Sequence, residues 1–300
     1  MHATTHRWRL LVAVLCLTTI GATALEAQAP AGSRKSFLWK VESGQGVLYV
    51  AGSVHALTPD AYPLSRAFER AFADADTLVE EIDLSEANAL ALAPALLGKG
   101  MYQDGRRFDT VVSRETASLV SERLGAVGLP AAMLQTMKPW MVMLTLTAIE
   151  MQKAGLDPEL GLDKHFFDRA TAAGKRVVGL ETAESQIERL DTMPEALQEQ
   201  LLLSTIEELD QASESLGSIV SAWRTGDAPA IEKLLLSSFD EYPAVYQSLI
   251  VERNRNWMPR VEACLTGGGT CLVVVGAAHL VGPDGLLASL QARGYRVEQQ

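Results

Sequence analysis

Two short phrases carry the chemistry this chain could do. In Val47–Leu48–Tyr49–Val50–Ala51–Gly52–Ser53–Val54–His55, an apolar run reaches a glycine and a histidine follows three positions later. Leu272–Val273–Val274–Val275–Gly276–Ala277–Ala278–His279 repeats the pattern. Only three of the five histidines lie beyond residue 6, and two of them sit in this context. Imidazole changes charge near neutral pH and is the commonest metal ligand, so a histidine repeated at strand ends points to a site. A continuous apolar run bounded by turn residues reads as a strand buried on both faces. Gly52 and Gly276 then read as turn glycines that let the backbone leave the strand sharply. His55 and His279 emerge at the sheet rim, where α/β proteins place their sites.

Two imidazoles and a carboxylate on one rim make a minimal divalent-metal site, suited to Zn, Mn or Co. Such a site polarises a carbonyl and activates water. The carboxylate comes from Thr77–Asp83, read as a strand bearing Glu80, Glu81 and Asp83. Strand alternation groups Glu81 with Val79 and Asp83, and Glu80 with Leu78 and Ile82. Alternation does not choose between the two glutamates. Arg253 falls on the helical row of Leu249, Ile250 and Trp257, and an inward arginine needs a carboxylate or a polarised substrate oxygen. Arg255 reads as solvated. The competing reading makes the histidines hydrogen-bonding strand caps and Glu80–Glu81 a solvated edge. Ser53 stands two residues before His55, but the chain has no G-x-S-x-G elbow and no H-E-x-x-H, Walker or dinucleotide fingerprint. His165, beside Phe166 and Phe167, reads as a helix-packing histidine.

The elements that must position these residues follow from the same sequence. Phe37–Val41 and Val47–Ala51 form a hairpin across Gly44–Gln45–Gly46. A helical period runs over Leu64–Ala73, and a helix from Ser85 ends at the glycines Gly98 and Gly100. The middle is helical over 110–124, 139–153, 161–173, 183–190, 195–216 and 228–237, with Lys138–Pro139–Trp140 as one helix start. One short strand, Arg176–Gly179, interrupts it. A long helix over 243–264 precedes Leu272–Val275, then a helix over 283–293 and a strand, Tyr295–Glu298. Strands at both ends can pair into one sheet, which predicts an α+β fold: a central mixed sheet built from N- and C-terminal strands around a large helical middle.

The first 24 residues stand apart. Arg7 and Arg9 precede the apolar run Leu10–Ile20 and the exit pattern Ala22–Thr23–Ala24, which reads as a cleaved secretory signal peptide. Residues 25–36 read as a disordered mature N-terminus, and 37–300 as a single domain. Hydrophobic residues make up 48% of the chain, ample core for one domain. Losing Arg7 and Arg9 and no acid takes the net charge from −11 to −13. A chain so acidic repels nucleic acid and anionic lipid, so no nucleic-acid partner and no stable membrane association after cleavage are expected. Cys264 and Cys271 flank a glycine-rich loop and, in an oxidising compartment, read as a disulfide.

The chain resembles the TraB/GumN family, related to the Tiki metalloproteases and to the erythromycin-esterase and ChaN-like proteins. The phrases that carry the likeness run through the whole mature chain: Phe37–Leu38–Trp39–Lys40–Val41, Gly52–Ser53–Val54–His55, Val79–Glu80–Glu81–Ile82–Asp83 and Lys138–Pro139–Trp140. They continue with Gly161–Leu162–Asp163, Gly179–Leu180–Glu181–Thr182, Glu252–Arg253–Asn254 and Val275–Gly276–Ala277–Ala278–His279–Leu280–Val281–Gly282. The resemblance implies a site of two G-x-x-H motifs, a glutamate and an arginine, and it selects Glu81, the glutamate before an apolar residue and an aspartate. It also implies a metal-dependent hydrolase, in substrate class a peptidase. His55 and His279 would hold the ion, Glu81 would complete the site or act as base, and Arg253 would anchor Glu81 or stabilise an oxyanion. The alternative is a non-catalytic periplasmic protein that sequesters a peptide or a metal in the same cleft; an esterase without metal is a second rival. Either way the partner is a peptide or small-molecule substrate, and the location periplasmic or secreted.

Protein recovered from the periplasm should have the mass of a chain lacking residues 1–24 and show no titratable thiol before reduction. A full-length chain with free thiols at Cys264 and Cys271 would overturn both readings.

Overall fold

Leu272, Val273, Val274 and Val275 are each at most 1% exposed, and a strand with no polar face must lie at the centre of a covered sheet. The computed structural model, which describes residues 35–210 and 212–300, places them there. The strands are β1 Leu38–Glu42, β2 Val47–Ser53, β3 Thr77–Glu80, β4 Arg176–Gly179, β5 Thr270–Gly276 and β6 Val297–Gln299. Their order is β4-β3-β5-β2-β1-β6. β5 pairs parallel with β2 and with β3, and β4 continues the parallel set. β1 closes the hairpin onto β2, and β6 returns antiparallel to β1. The fold is therefore α+β with a mixed sheet, as the segment pattern predicts. The reading of residues 1–24 as a leader lies outside the described residues. Ser36, expected at the end of the disordered stretch 25–36, is buried and its N–H donates to Gln300 O at 2.5 Å; residues 25–34 of that stretch lie outside the described residues.

The parallel set fixes the site. Ser53 lies beside Gly276 and Glu80 beside Val274 in the ladder, and Gly179 lies beside Glu80. Four strands thus release the chain at one rim, and His55, Glu81, Glu181 and His279 all follow within a few residues. Helices Leu162–Ala172 and Glu252–Thr266 pack on the sheet and bring Asp163 and Arg253 to the same rim. A second apolar cluster, including Phe108, Leu124, Val142, Leu202 and Val245, is built from the helical middle.

The observed elements depart from the expected ones at several points. The strand expected over Thr77–Asp83 ends at Glu80, and Glu81 keeps one backbone bond, its carbonyl accepting from the Glu181 N–H at 2.8 Å. Helix is described over Glu195–Asp210 and Ala212–Thr225, past the expected end at residue 216. The expected 243–264 helix is three pieces: Pro243–Tyr246, a π-helical turn Gln247–Val251, and Glu252–Thr266. A π turn inserts a residue into the helical register and is frequent at functional sites; this one ends two residues before Arg253. Cys264 and Cys271 are bridged, with Cα atoms 5.9 Å apart, which ties the end of the last long helix to the start of β5.

Space fixes the two motif glycines. Neither has a positive φ, and at Gly276 the chain leaves β5 and enters the 3-10 turn Ala277–His279. At Gly52 an ideal Cβ would lie 2.3 Å from the Phe37 ring and 3.2 Å from Ala277 Cα. Phe37 is fully buried, so its ring cannot step aside without repacking the core. Gly52→Ala should therefore lose about 1–3 kcal/mol of unfolding free energy, read by urea denaturation. An unchanged midpoint would show that the Phe37 pocket has slack.

Candidate functional site

Gly276 lies at the middle of the rim. An ideal Cβ there would sit 3.1 Å from His55 Nε2, 3.2 Å from Glu81 Oε1 and 3.6 Å from His279 Cδ2. The residues expected to meet do meet, and a methyl group at Gly276 would crowd His55 and Glu81 while making ordinary contact with His279. Its own N–H donates to Glu81 Oε1 at 2.7 Å.

Each imidazole is oriented from behind. His279 Nδ1 lies 2.7 Å from Asn254 Oδ1, while Asn254 Nδ2 donates to the carbonyls of His279 and Asp284 at 3.1 and 2.9 Å. The Asn254 oxygen can only accept, so Nδ1 carries the proton and Nε2 the lone pair. Trp257 packs on the ring, with centroids 4.4 Å apart. Burial lowers His279 most, and the positive charge of Arg253 adds to it, bringing its pKa to about 3; it is neutral in the folded protein. His55 is different, with 56% of its side chain exposed. Its Nδ1 faces Asp163 Oδ1 at 3.4 Å and its Nε2 faces Glu81 Oε1 at 4.0 Å. Desolvation opposes its protonation, but the hydrogen bond and charge of Asp163 and the charge of Glu81 outweigh it and raise the pKa to about 9. Solvent at the open face weakens that pull. Asp163 is itself held by Ser53, whose hydroxyl donates to it at 2.7 Å. Ser53 is buried and occupied in this way, so no serine nucleophile is presented.

Arg253 joins the rest. Its Nε donates to Glu181 Oε1 at 3.0 Å, and Nη2 donates to the same oxygen at 2.6 Å and to Glu81 Oε2. Nη1 donates to His279 Nε2 at 2.9 Å and to Leu249 O at 3.4 Å. A guanidinium has five N–H groups, and all five are used. Of the two roles expected for Arg253, the geometry shows the anchoring one, since no N–H is left for a substrate oxygen. The guanidinium also lies over Trp257, 4.6 Å from its centroid. The side chains of Arg253, Glu81 and Glu181 are each 13% exposed. Burial would raise Glu81, but the charge of Arg253 first, with that of His55 and the Gly276 N–H, holds it at about 2. The reciprocal effect raises Arg253 further, its carboxylate partners outweighing burial.

Residue reading missed the role of Glu181. It follows a strand, as Glu81 does, and stands at the same rim because β4 runs parallel to β3; a carboxylate just past a strand end is the signal that could have found it. Gln186 bridges the two glutamates, donating to Glu181 Oε1 at 2.8 Å and Glu81 Oε2 at 3.3 Å. Arg255 is exposed, and His165 packs between Tyr62 and Phe166, with centroids 4.8 and 5.3 Å away.

The divalent ion implied by the resemblance meets donors of the right kind but not a free arrangement of them. Among the described residues, no group of three or more His, Cys, Asp or Glu side chains is placed to hold a metal ion. Arg253 occupies His279 Nε2 and Glu81 Oε2, the lone pairs an ion would need.

A mixed sheet whose parallel strand ends gather two imidazoles, two carboxylates and an arginine defines an α+β protein with a charge-paired cleft at the sheet rim. The chain belongs to the TraB/PrgY/gumN family, whose model matches residues 37–299. It is similar to the uncharacterized protein YbaP of Escherichia coli strain K12, 26% identical over 244 residues, covering 81% of this chain and 87% of that protein. YbaP of Shigella flexneri is 26% identical over 239 residues, 79% and 85% of the two chains. No solved structure matches the chain.

Glu80, the glutamate the resemblance did not select, lies outside the cluster. It is 2% exposed and neither carboxyl oxygen has a partner. Burial first, then the negative charge of Asp163, raises its pKa to about 9 from an ordinary 4.5. The folded state therefore holds a proton that the unfolded chain releases above about pH 4.5, and stability falls as pH rises from there toward 9. Glu80→Gln removes this penalty. Its stability advantage over wild type should grow by about 1.4 kcal/mol per pH unit between pH 5 and 8, measured by denaturant titration at each pH. An advantage that does not change with pH would mean Glu80 is ionised in the fold.

Proposed function

We propose that this protein is a secreted or periplasmic hydrolase of acyl bonds, with peptides as its substrate class. The observation that carries the reading is an exposed imidazole, His55, backed by a carboxylate and facing a buried Glu81–Arg253–His279 network. The Cys264–Cys271 bridge supports an oxidising compartment. Among the described residues no helix is long and apolar enough to cross a membrane.

His55 is the group placed to move a proton. Neutral, its Nε2 takes a proton from water as the oxygen attacks the substrate carbonyl; the imidazolium returns it to the leaving nitrogen as the acyl bond breaks. Asp163 stabilises that imidazolium and fixes its Nδ1 side. Glu81, held ionised by Arg253, adds negative charge on the other side of the ring. A cavity of about 460 Å³, lined by Ser185, Arg189, Met193, Leu197, Ser248 and Glu252 among others, draws on the two helices that carry Gln186 and Arg253, but no residue of the network lines it. No step of this reading passes through a metal ion. The metal-dependent form of the reaction that the resemblance implies is tested by the chelator arm below.

A second reading, a protein that sequesters a peptide without cleaving it, has one observation behind it: His279 and both oxygens of Glu81 already have hydrogen-bond partners, as in a site built to hold rather than transform.

A peptide library incubated with mature protein and read by mass spectrometry, with and without chelator, separates the readings. Cleavage should be present, and His55→Ala should lower it by on the order of 10²–10⁴. kcat/KM should climb with pH toward the His55 midpoint near 9. Asp163→Asn, which removes the charge that raises His55, should move that midpoint acid-ward. Binding without cleavage would favour sequestration, and wild-type cleavage by both His55→Ala and His279→Ala would sink the site itself.

A further inference from the structure

We infer that Arg253 is the resident cation of this cleft, and that Arg253 and a divalent metal ion are alternative occupants of the same donors. The inference goes beyond the hydrolase reading and does not depend on it, because it concerns which cation neutralises the buried carboxylates.

An ion needs lone pairs, and the lone pairs here can be counted. His279 has one, on Nε2, because Asn254 holds the protonated Nδ1; Arg253 Nη1 donates to it at 2.9 Å. Glu81 accepts from Gly276 N–H on Oε1, and from Arg253 and Gln186 on Oε2. Glu181 accepts on Oε1 from Arg253 Nε and Nη2 and from Gln186, and on Oε2 from Trp257 Nε1 at 3.3 Å. His55 Nε2 has no donor against it and stands 4.0 Å from Glu81 Oε1, which with one donor keeps a second lone pair on the open side. The guanidinium thus lies on the inner donors. Its own five N–H groups are spent and its plane rests on Trp257, so it is fixed there and not waiting for a ligand.

Charge makes the two occupants exclusive. Two buried carboxylates with one guanidinium leave a single unbalanced negative charge before His55 is counted. An added dication would meet a fixed positive charge a few ångströms away with little water between, where repulsion is strong. Without Arg253, the same positions offer two imidazoles and two carboxylates, the ligand set that zinc, manganese and cobalt accept. The buried carboxylates would also lack a cation, a state that strongly destabilises a fold until something replaces it.

The test is metal content and melting temperature, not turnover. Mature wild-type protein stripped of metal and equilibrated separately with MnCl₂, CoCl₂ or ZnCl₂ should retain no stoichiometric ion and show no shift in Tm. Arg253→Met should melt lower when metal-free. It should take up one equivalent of ion with affinity raised on the order of 100-fold or more over wild type, and regain Tm as the ion binds. Adding His279→Ala to Arg253→Met should abolish uptake and recovery together. If Arg253→Met does not fold without metal, Arg253→Gln and refolding in the presence of each ion provide the same readout. One equivalent of ion on wild type, lost in His279→Ala, would overturn the inference; so would an Arg253→Met or Arg253→Gln protein that folds and still binds no ion. Failure of the hydrolase reading would appear in peptide cleavage by His55→Ala and would leave these metal measurements unchanged.

Discussion

The buried pairing of Arg253 with Glu81 and Glu181 is the constraint around which the rim is built. Removing three charged groups from water costs several kcal/mol per ion unless geometry and hydrogen bonding return it. Here the return is complete on the cationic side: every N–H of the guanidinium has an acceptor. A network satisfied to that degree is unforgiving, because the loss of any one partner leaves a buried charge without compensation. That is a physical reason for so many unrelated segments to end at one point. Strand ends supply the carboxylates, one helix supplies the arginine, and the 3-10 turn after β5 supplies the histidine.

The sheet makes this pairing possible. Parallel strands deliver their C-terminal ends to one side, so residues far apart in sequence, such as Glu81, Glu181 and His279, become neighbours without any local signal between them. The ladder ends where the chemistry begins: β3 stops at Glu80 and β5 at Gly276. The missing side chain at Gly276 leaves the space into which Glu81 and His55 lean. On the helix side, the π turn Gln247–Val251 comes just before Arg253. In that turn Leu249 leaves its carbonyl facing back to the arginine it precedes.

Much of this was legible in the residues, and the rest was not for identifiable reasons. The apolar run Leu272–Val275 announced a central strand, because no other element buries four consecutive β-branched and aliphatic residues so fully. The repeated G-x-x-H phrase announced the rim, since strand periodicity and a shared sheet leave few other places for His55 and His279. Period alone could not decide between Glu80 and Glu81: both sides of β3 are buried, so alternation assigns each glutamate a face but not a fate. Glu181 stayed without a role for a related reason, because its importance depends on β4 lying beside β3, a pairing across about a hundred residues. The split of the 243–264 helix was equally silent. A π turn changes register without changing composition, and helical spacing tolerates it. Gly52 and Gly276 were read for their backbone freedom, whereas the tertiary neighbours show that the missing Cβ matters and the φ angle does not.

Glu80 and Glu81 show what the fold does with two chemically identical groups. They are adjacent in sequence, and both are largely withdrawn from water, yet their pKa values are driven to about 9 and about 2. Burial pushes both upward; only Glu81 has a cation, a backbone N–H and the His55 imidazole to reverse it. The result is a neutral carboxyl beneath the rim and a permanent carboxylate within it. Separation of this kind, set by environment and not by residue type, is how paired carboxylates acquire different tasks in one site. It also means that Glu81, with its proton affinity suppressed and both oxygens accepting hydrogen bonds, is poorly suited to take a proton from water. In the proposed hydrolase the proton-moving role would fall to the group with an open face and a supporting carboxylate, His55, with Glu81 acting by its charge. The carboxylate the family pattern selects is, in this arrangement, the electrostatic partner of Arg253, and its paired oxygens and low pKa are what separate it from Glu80.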